Sequence, residues 1–261
     1  MSLVAQSLDL WLGRRQILHG AGLVAQAGRV TAIIGPNGSG KTTLLRALTG
    51  DVAPRSGRIT LNGTDIATRL PHDLAALRDL PQHSTLSFPF TASEIVGIGL
   101  STRPVIGPAR AALISAALAR VGLPGRGGQL YQQMSGGEQQ RVQLARALVQ
   151  VWQPVTPDGP RWLFLDEPVS SLDIAHQLTV MRIAADYAAA GGGVVAVMHD
   201  LNLTAMFADR VALMQGGRVV AQGRPEAVMT DDNLSRAYGC DLRINRAPDR
   251  GVWMLPQSIV A

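Results

Sequence analysis

Apolar positions fall into two patterns along this chain. Val30–Ile34 is a short β-branched run that stops at Gly35, and Trp162–Leu165 and Val194–Met198 are apolar throughout. Runs of that length match strands buried on both faces of a parallel sheet. Between them the spacing turns helical. Thr42–Leu48 predicts a helix that ends at Gly50, Ala109–Val121 an alanine-rich helix closed by the Gly122–Gly128 turn, and Gly137–Gln150 a further helix. Pro154–Pro160, with three prolines and a glycine, predicts a loop ahead of the second apolar run. Gln215-Gly216-Gly217 predicts a hairpin turn. The alternation predicts an α/β sheet domain with a helical insert over residues 86–150 and a C-terminal tail over 224–261.

Length adds that 261 residues make one large domain able to bury its own core. The longest stretch free of Asp, Glu, Lys and Arg, Leu80–Ser93, contains two prolines and falls short of the roughly 18 residues a membrane span needs. Met1–Leu12 lacks the basic start of a signal peptide, so the chain is expected to stay in the cytosol. The single cysteine, Cys240, excludes a disulfide framework. The net charge of +5 comes from scattered arginines, which argues against a nucleic-acid surface. Lysine is represented once, by Lys41, and that singularity draws attention to its surroundings.

Gly35-Pro36-Asn37-Gly38-Ser39-Gly40-Lys41-Thr42 fits G-x-x-x-x-G-K-[ST] between a predicted strand and a predicted helix. Its glycines let successive N–H groups point at phosphate oxygens, and the helix N-terminus adds its dipole. Lys41 can reach the β- and γ-phosphates, and the Thr42 hydroxyl can ligate Mg²⁺. Trp162-Leu163-Phe164-Leu165-Asp166-Glu167 is an apolar strand ending in two carboxylates. At the C-terminal end of such a strand Asp166 can hold Mg²⁺, and Glu167 can polarise a water for in-line attack on the γ-phosphate.

Met134-Ser135-Gly136-Gly137-Glu138-Gln139-Gln140-Arg141 resembles the signature of ABC-type ATPases, with Met134 in place of the usual leucine. The other elements of that family follow in order. Gln82 resembles the glutamine at the joint between sheet core and insert, Ser170-Ser171-Leu172-Asp173 the loop that crosses to a partner subunit, and His199 the switch histidine. Trp11 stands upstream of the phosphate loop about where the family stacks an aromatic on adenine. The resemblance implies a P-loop NTPase core with an inserted helical subdomain. It implies ATP and Mg²⁺ as ligands, with Glu167, His199 and Gln82 catalytic and Thr42, Gln82 and Asp166 at the metal. Gly35 through Thr43 and Trp11 would contact one nucleotide, while Ser135, Gly136, Gly137 and Asp173 would serve the nucleotide of a second copy paired head to tail.

One phosphate loop and one signature lead to the expectation that this is half of an ATPase pair, with the permease a separate chain. Leu86-Ser87-Phe88-Pro89-Phe90-Thr91 resembles the permease-docking stretch of importers for iron chelates and cobalamin. Asp79–Ser84, Gln153–Arg161 and Leu172–Gln177 resemble the ATPase subunits of haem importers. The expected role is therefore to power haem uptake from the cytoplasmic face of the inner membrane. A periplasmic binding protein would be met only indirectly, and His83 and His176 are expected to be structural. Ferric-siderophore or cobalamin import is the alternative, ahead of a cluster-assembly ATPase.

Overall fold

The apolar runs become the middle of a sheet. The protein, a computed structural model, is described at residues 1–68, 74–77, 89–101, 106–247, 249–252 and 254–258. Its strands in chain order are β1 (Ser2–Leu12), β2 (Arg15–Gln26), β3 (Val30–Ile34), β4 (Ser56–Leu61), β5 (Thr64–Asp65), β6 (Leu74–Leu77), β7 (Val155–Thr156), β8 (Gly159–Pro160), β9 (Trp162–Asp166), β10 (Gly193–Val197), β11 (Arg210–Gln215) and β12 (Arg218–Gly223). Its helices are α1 (Lys41–Leu48), α2 (Ala92–Ile98), α3 (Gly107–Arg120), α4 (Gly136–Gln150), α5 (Ile174–Ala189), α6 (Leu201–Phe207), α7 (Pro225–Val228) and α8 (Asp231–Tyr238).

Six strands pair in the order β12-β11-β3-β10-β9-β6, parallel except for the β11–β12 hairpin. Successive residues of the central strands enter opposite cores, as the two-residue period demands. Leu163 and Leu165 face a core shared with α4, α5 and α6, together with Val194 and Ala196. Trp162, Phe164, Val195 and Val197 face a second core built with α1 and an antiparallel sheet, β2-β1-β4-β5. Helices α2, α3 and α4 pack on one another at the edge of the first core. Prolines 154 and 160 bracket a small β7–β8 hairpin where the composition alone predicts a loop. Among the described residues no helix is long and apolar enough to cross a membrane.

Helix starts follow side-chain chemistry. Thr91 and Ser135 each accept the N–H three residues on, from Glu94 and Glu138, whose carboxylates return the bond to the cap N–H. Asp173 caps α5 and Asp200 caps α6 in the same sense.

Candidate nucleotide site

Because β10 lies between β3 and β9, the ends of three neighbouring parallel strands deliver the candidate chemistry to one place. The phosphate loop leaves β3, Asp166 closes β9, and His199 follows β10. A cavity of about 400 Å³ opens there, lined by Asn37, Gly38, Gly40, Lys41, Thr42, Thr43, Glu167 and His199, with Arg15 and Ile17 from β2.

The loop is shaped by backbone that only glycine accepts readily. Gly35 has φ 144°, and a side-chain carbon there would run into the Met214 carbonyl of β11. Gly38 also has positive φ, and a side-chain carbon there would meet open space. Ser39 is 3% exposed, and its hydroxyl has no hydrogen-bond partner. Lys41 donates to the carbonyls of Gly35 at 2.9 Å and Pro36 at 3.1 Å. Burial pushes its pKa down, and the nearby Glu167 and Asp166 carboxylates oppose that. A buried ammonium held by two carbonyls in an anion-shaped loop is a phosphate contact in waiting.

At the edge of the loop the Thr42 hydroxyl donates to Asp166 Oδ1 at 3.2 Å; Asp166 itself is not part of the cavity lining. Glu167 holds φ 48°, a left-handed conformation unusual for a side-chain-bearing residue. The turn is fixed from several sides. The Glu167 N–H donates to Val197, while the Glu167 carbonyl accepts from Ser170 N–H and from Gln140 of α4. Its carboxylate oxygen lies 2.6 Å from His199 Nε2. A carboxylate oriented by an imidazole, half open to the cavity, can take a proton from a water positioned for in-line attack.

Not every candidate gathers here. Trp11 does not line the cavity; Arg55 stacks on its ring, 4.9 Å from the centroid. Ser135 and Gly136 are exposed at the start of α4, away from the cavity lining, while Gly137 packs against the Leu172 side chain and so joins the signature turn to the 170–173 loop. Asp173 is exposed and accepts from the His176 N–H at 2.9 Å, with the His176 ring 2.7 Å away. Gln82, His83 and Leu86–Phe88 lie outside the described residues. Phe90 is half-buried against the core, with Pro89 exposed beside it, so only part of the Phe-Pro-Phe stretch is left to solvent. Reasoning from motifs missed Arg15 and Ile17, whose signal is the tight hairpin at Gly13-Arg14, and Gln140, whose signal is its place one turn into the signature helix.

Strand order, phosphate loop and the facing carboxylates define a P-loop nucleoside-triphosphate-binding domain. Residues 18–170 match the family model described as ABC transporter. Two relatives, each called Hemin import ATP-binding protein HmuV, are 59% identical from Jannaschia sp. (94% of this chain, 90% of the relative) and 55% identical from Roseobacter denitrificans (99% and 98%). Among solved structures, the ATP binding subunit of an ABC transporter superposes with TM-score 0.74 at 22% identity, covering 92% of this chain and 95% of that one. An ATP-binding cassette in its ADP conformation gives 0.75 at 23%, covering 91% and 98%. The chain belongs to the ABC transporter family, in which it is an ATP-binding, ATP-hydrolysing domain.

Proposed function

We propose that this chain is the ATP-hydrolysing subunit of a haem importer. It would act as a pair of copies on a separate permease at the cytoplasmic face of the inner membrane. The observation that carries this reading is identity above half, over nearly the whole length, to relatives named for hemin import.

The chemistry is assigned to residues of this chain. The amides from Asn37 to Thr42 and the Lys41 ammonium bind the β- and γ-phosphates of ATP. Glu167, held by His199, orients the attacking water and accepts its proton, and His199 then faces the γ-phosphate. The Thr42 hydroxyl and Asp166 carboxylate, 3.2 Å apart, are hard oxygen donors of the kind Mg²⁺ selects, and Gln82 is the third proposed ligand. When bound, Mg²⁺ neutralises charge on the phosphate oxygens. Ser135, Gly136, Gly137 and Asp173 serve the ATP of the second copy; the exposure of Ser135, Gly136 and Asp173 off the cavity supports that division. Docking to the permease is assigned to the stretch from Leu86 to Phe90 and the adjoining groove between α2 and α3, where Ile98 is 46% exposed.

Vesicles holding this chain with its permease test the cargo. With internal ATP and a haem-charged binding protein outside, haem should accumulate. Uptake of a ferric siderophore or cobalamin without haem would overturn the cargo and keep the ATPase, and no ATP-dependent uptake of any of them would favour a cluster-assembly role.

A further inference from the structure

We infer that the purine base of the nucleotide stacks on Arg15, in the place where an aromatic side chain would be sought. The inference rests on the nucleotide site proposed above and adds how its base is held.

The β1–β2 hairpin separates the two candidates by face. Its register pairs Leu12 with Arg15 and Trp11 with Gln16. Directly opposed residues of an antiparallel pair share a face, and neighbours along a strand take opposite faces. Trp11 therefore lies on the side of Gln16 and Asp9, where the Gln16 amide donates to Asp9 Oδ1 and Arg55 covers the indole. Leu12 and Arg15 lie on the other side, and Arg15 lines the cavity together with Ile17, which sits at the β2 bulge between the Leu10–Leu18 and Trp11–Gln16 pairs.

Elimination within that cavity assigns the base. Residues from Asn37 to Thr43 belong to the phosphate loop and the start of α1, and Glu167 with His199 marks the hydrolytic end. The lining that remains is Arg15 and Ile17. Ile17 also abuts the loop, since a side-chain carbon at Gly40 would sit 3.5 Å from its Cγ2. A nucleotide with its phosphates in the loop thus meets β2 as it leaves.

The side chains there suit a base. Arg15 is exposed, and among the described residues no carboxylate pairs with it. A planar, weakly hydrated guanidinium stacks on ring systems, and Ile17 supplies an apolar floor. Leu12, 42% exposed on the same face, is further apolar surface that a bound base would cover. Stacking reads the ring face rather than its hydrogen-bonding edge, so ATP and GTP should depend on Arg15 alike.

Equilibrium titration of the full chain with ATP, GTP and inorganic tripolyphosphate tests this, with melting temperatures recorded for each variant. Arg15→Ala should raise the Kd for ATP and GTP about tenfold and leave tripolyphosphate within about twofold. Trp11→Ala should leave ATP within about twofold. An Arg15→Ala chain with unchanged ATP affinity would overturn the inference. So would equal losses for ATP and tripolyphosphate, which would make Arg15 a phosphate contact. A tenfold ATP loss in Trp11→Ala, at unchanged melting temperature, would return the base to Trp11. If the wild-type chain bound neither ATP nor tripolyphosphate, the nucleotide site itself would fall, and the platform with it.

Discussion

Lys41 is 5% exposed and held by two carbonyls, so its ammonium is already desolvated and aimed before any nucleotide arrives. Such preorganisation is what makes a fixed charge effective against the charge that develops on a transferring phosphoryl group. Lys41→Ala should lower turnover at least about a hundredfold in the assembled transporter. Steady-state phosphate release checks this, and turnover within threefold of wild type would contradict it. His199 lies 2.6 Å from Glu167, and its proposed role acts through that contact. His199→Ala should slow turnover at least about tenfold while ATP affinity, read by titration, stays within about twofold. A tenfold loss of affinity would make it a structural histidine. These residues were legible in the sequence because each is pinned within a fixed local motif. Trp11 was read by spacing alone, and spacing does not record which face of a strand a side chain takes.

The elements show where local pattern is sufficient. Central strands bury both faces, so they appear as unbroken apolar runs, and β3, β9 and β10 could be read directly. Strand β1 could not. Its buried positions change from Leu3 and Ala5 to Leu8 and Leu10, because Ser7 takes φ 48° at a bulge and reverses the alternation. The antiparallel sheet that carries Arg15 was hidden by that slip. Helix caps were more readable. At α4, Glu138 closes a reciprocal cap with Ser135, and the Ser135 N–H holds its carboxyl below the ordinary 4.5. A carboxylate with a depressed folded pKa stabilises fully above its unfolded value and loses that contribution as pH falls through the folded one. Thermal midpoints should therefore drop less for Glu138→Gln than for wild type as pH is lowered from 4.5 downward. Equal slopes would mean that the cap contributes nothing through its charge.

At the scale of the whole molecule, one chain divides its chemistry between two surfaces. The cavity holds the phosphate loop, Glu167 and His199, while Ser135 and Gly136 stand exposed elsewhere. Gln140 joins the two, donating from the signature helix to the Glu167 carbonyl at 3.2 Å. In the proposed head-to-tail pair, this helix start, which its own cavity does not use, would meet the ATP of a second copy. Ser135→Arg should therefore abolish the site of the other chain. Mixed dimers of wild type and Ser135→Arg should hydrolyse at no more than about half the wild-type rate, and full activity would refute the head-to-tail arrangement.

In the proposed mechanism, nucleotide-driven pairing is the step on which hydrolysis, and with it transport, would depend. Glu167→Gln keeps the shape of the side chain and removes the proposed base, so it should trap the ATP-bound pair. The most direct measurement is the mass of Glu167→Gln in solution with Mg-ATP, by light scattering after size exclusion. The expected mass is twice the 27.6 kDa of one chain with ATP and that of a single chain without it. A single chain under both conditions, with ATP bound, would contradict it.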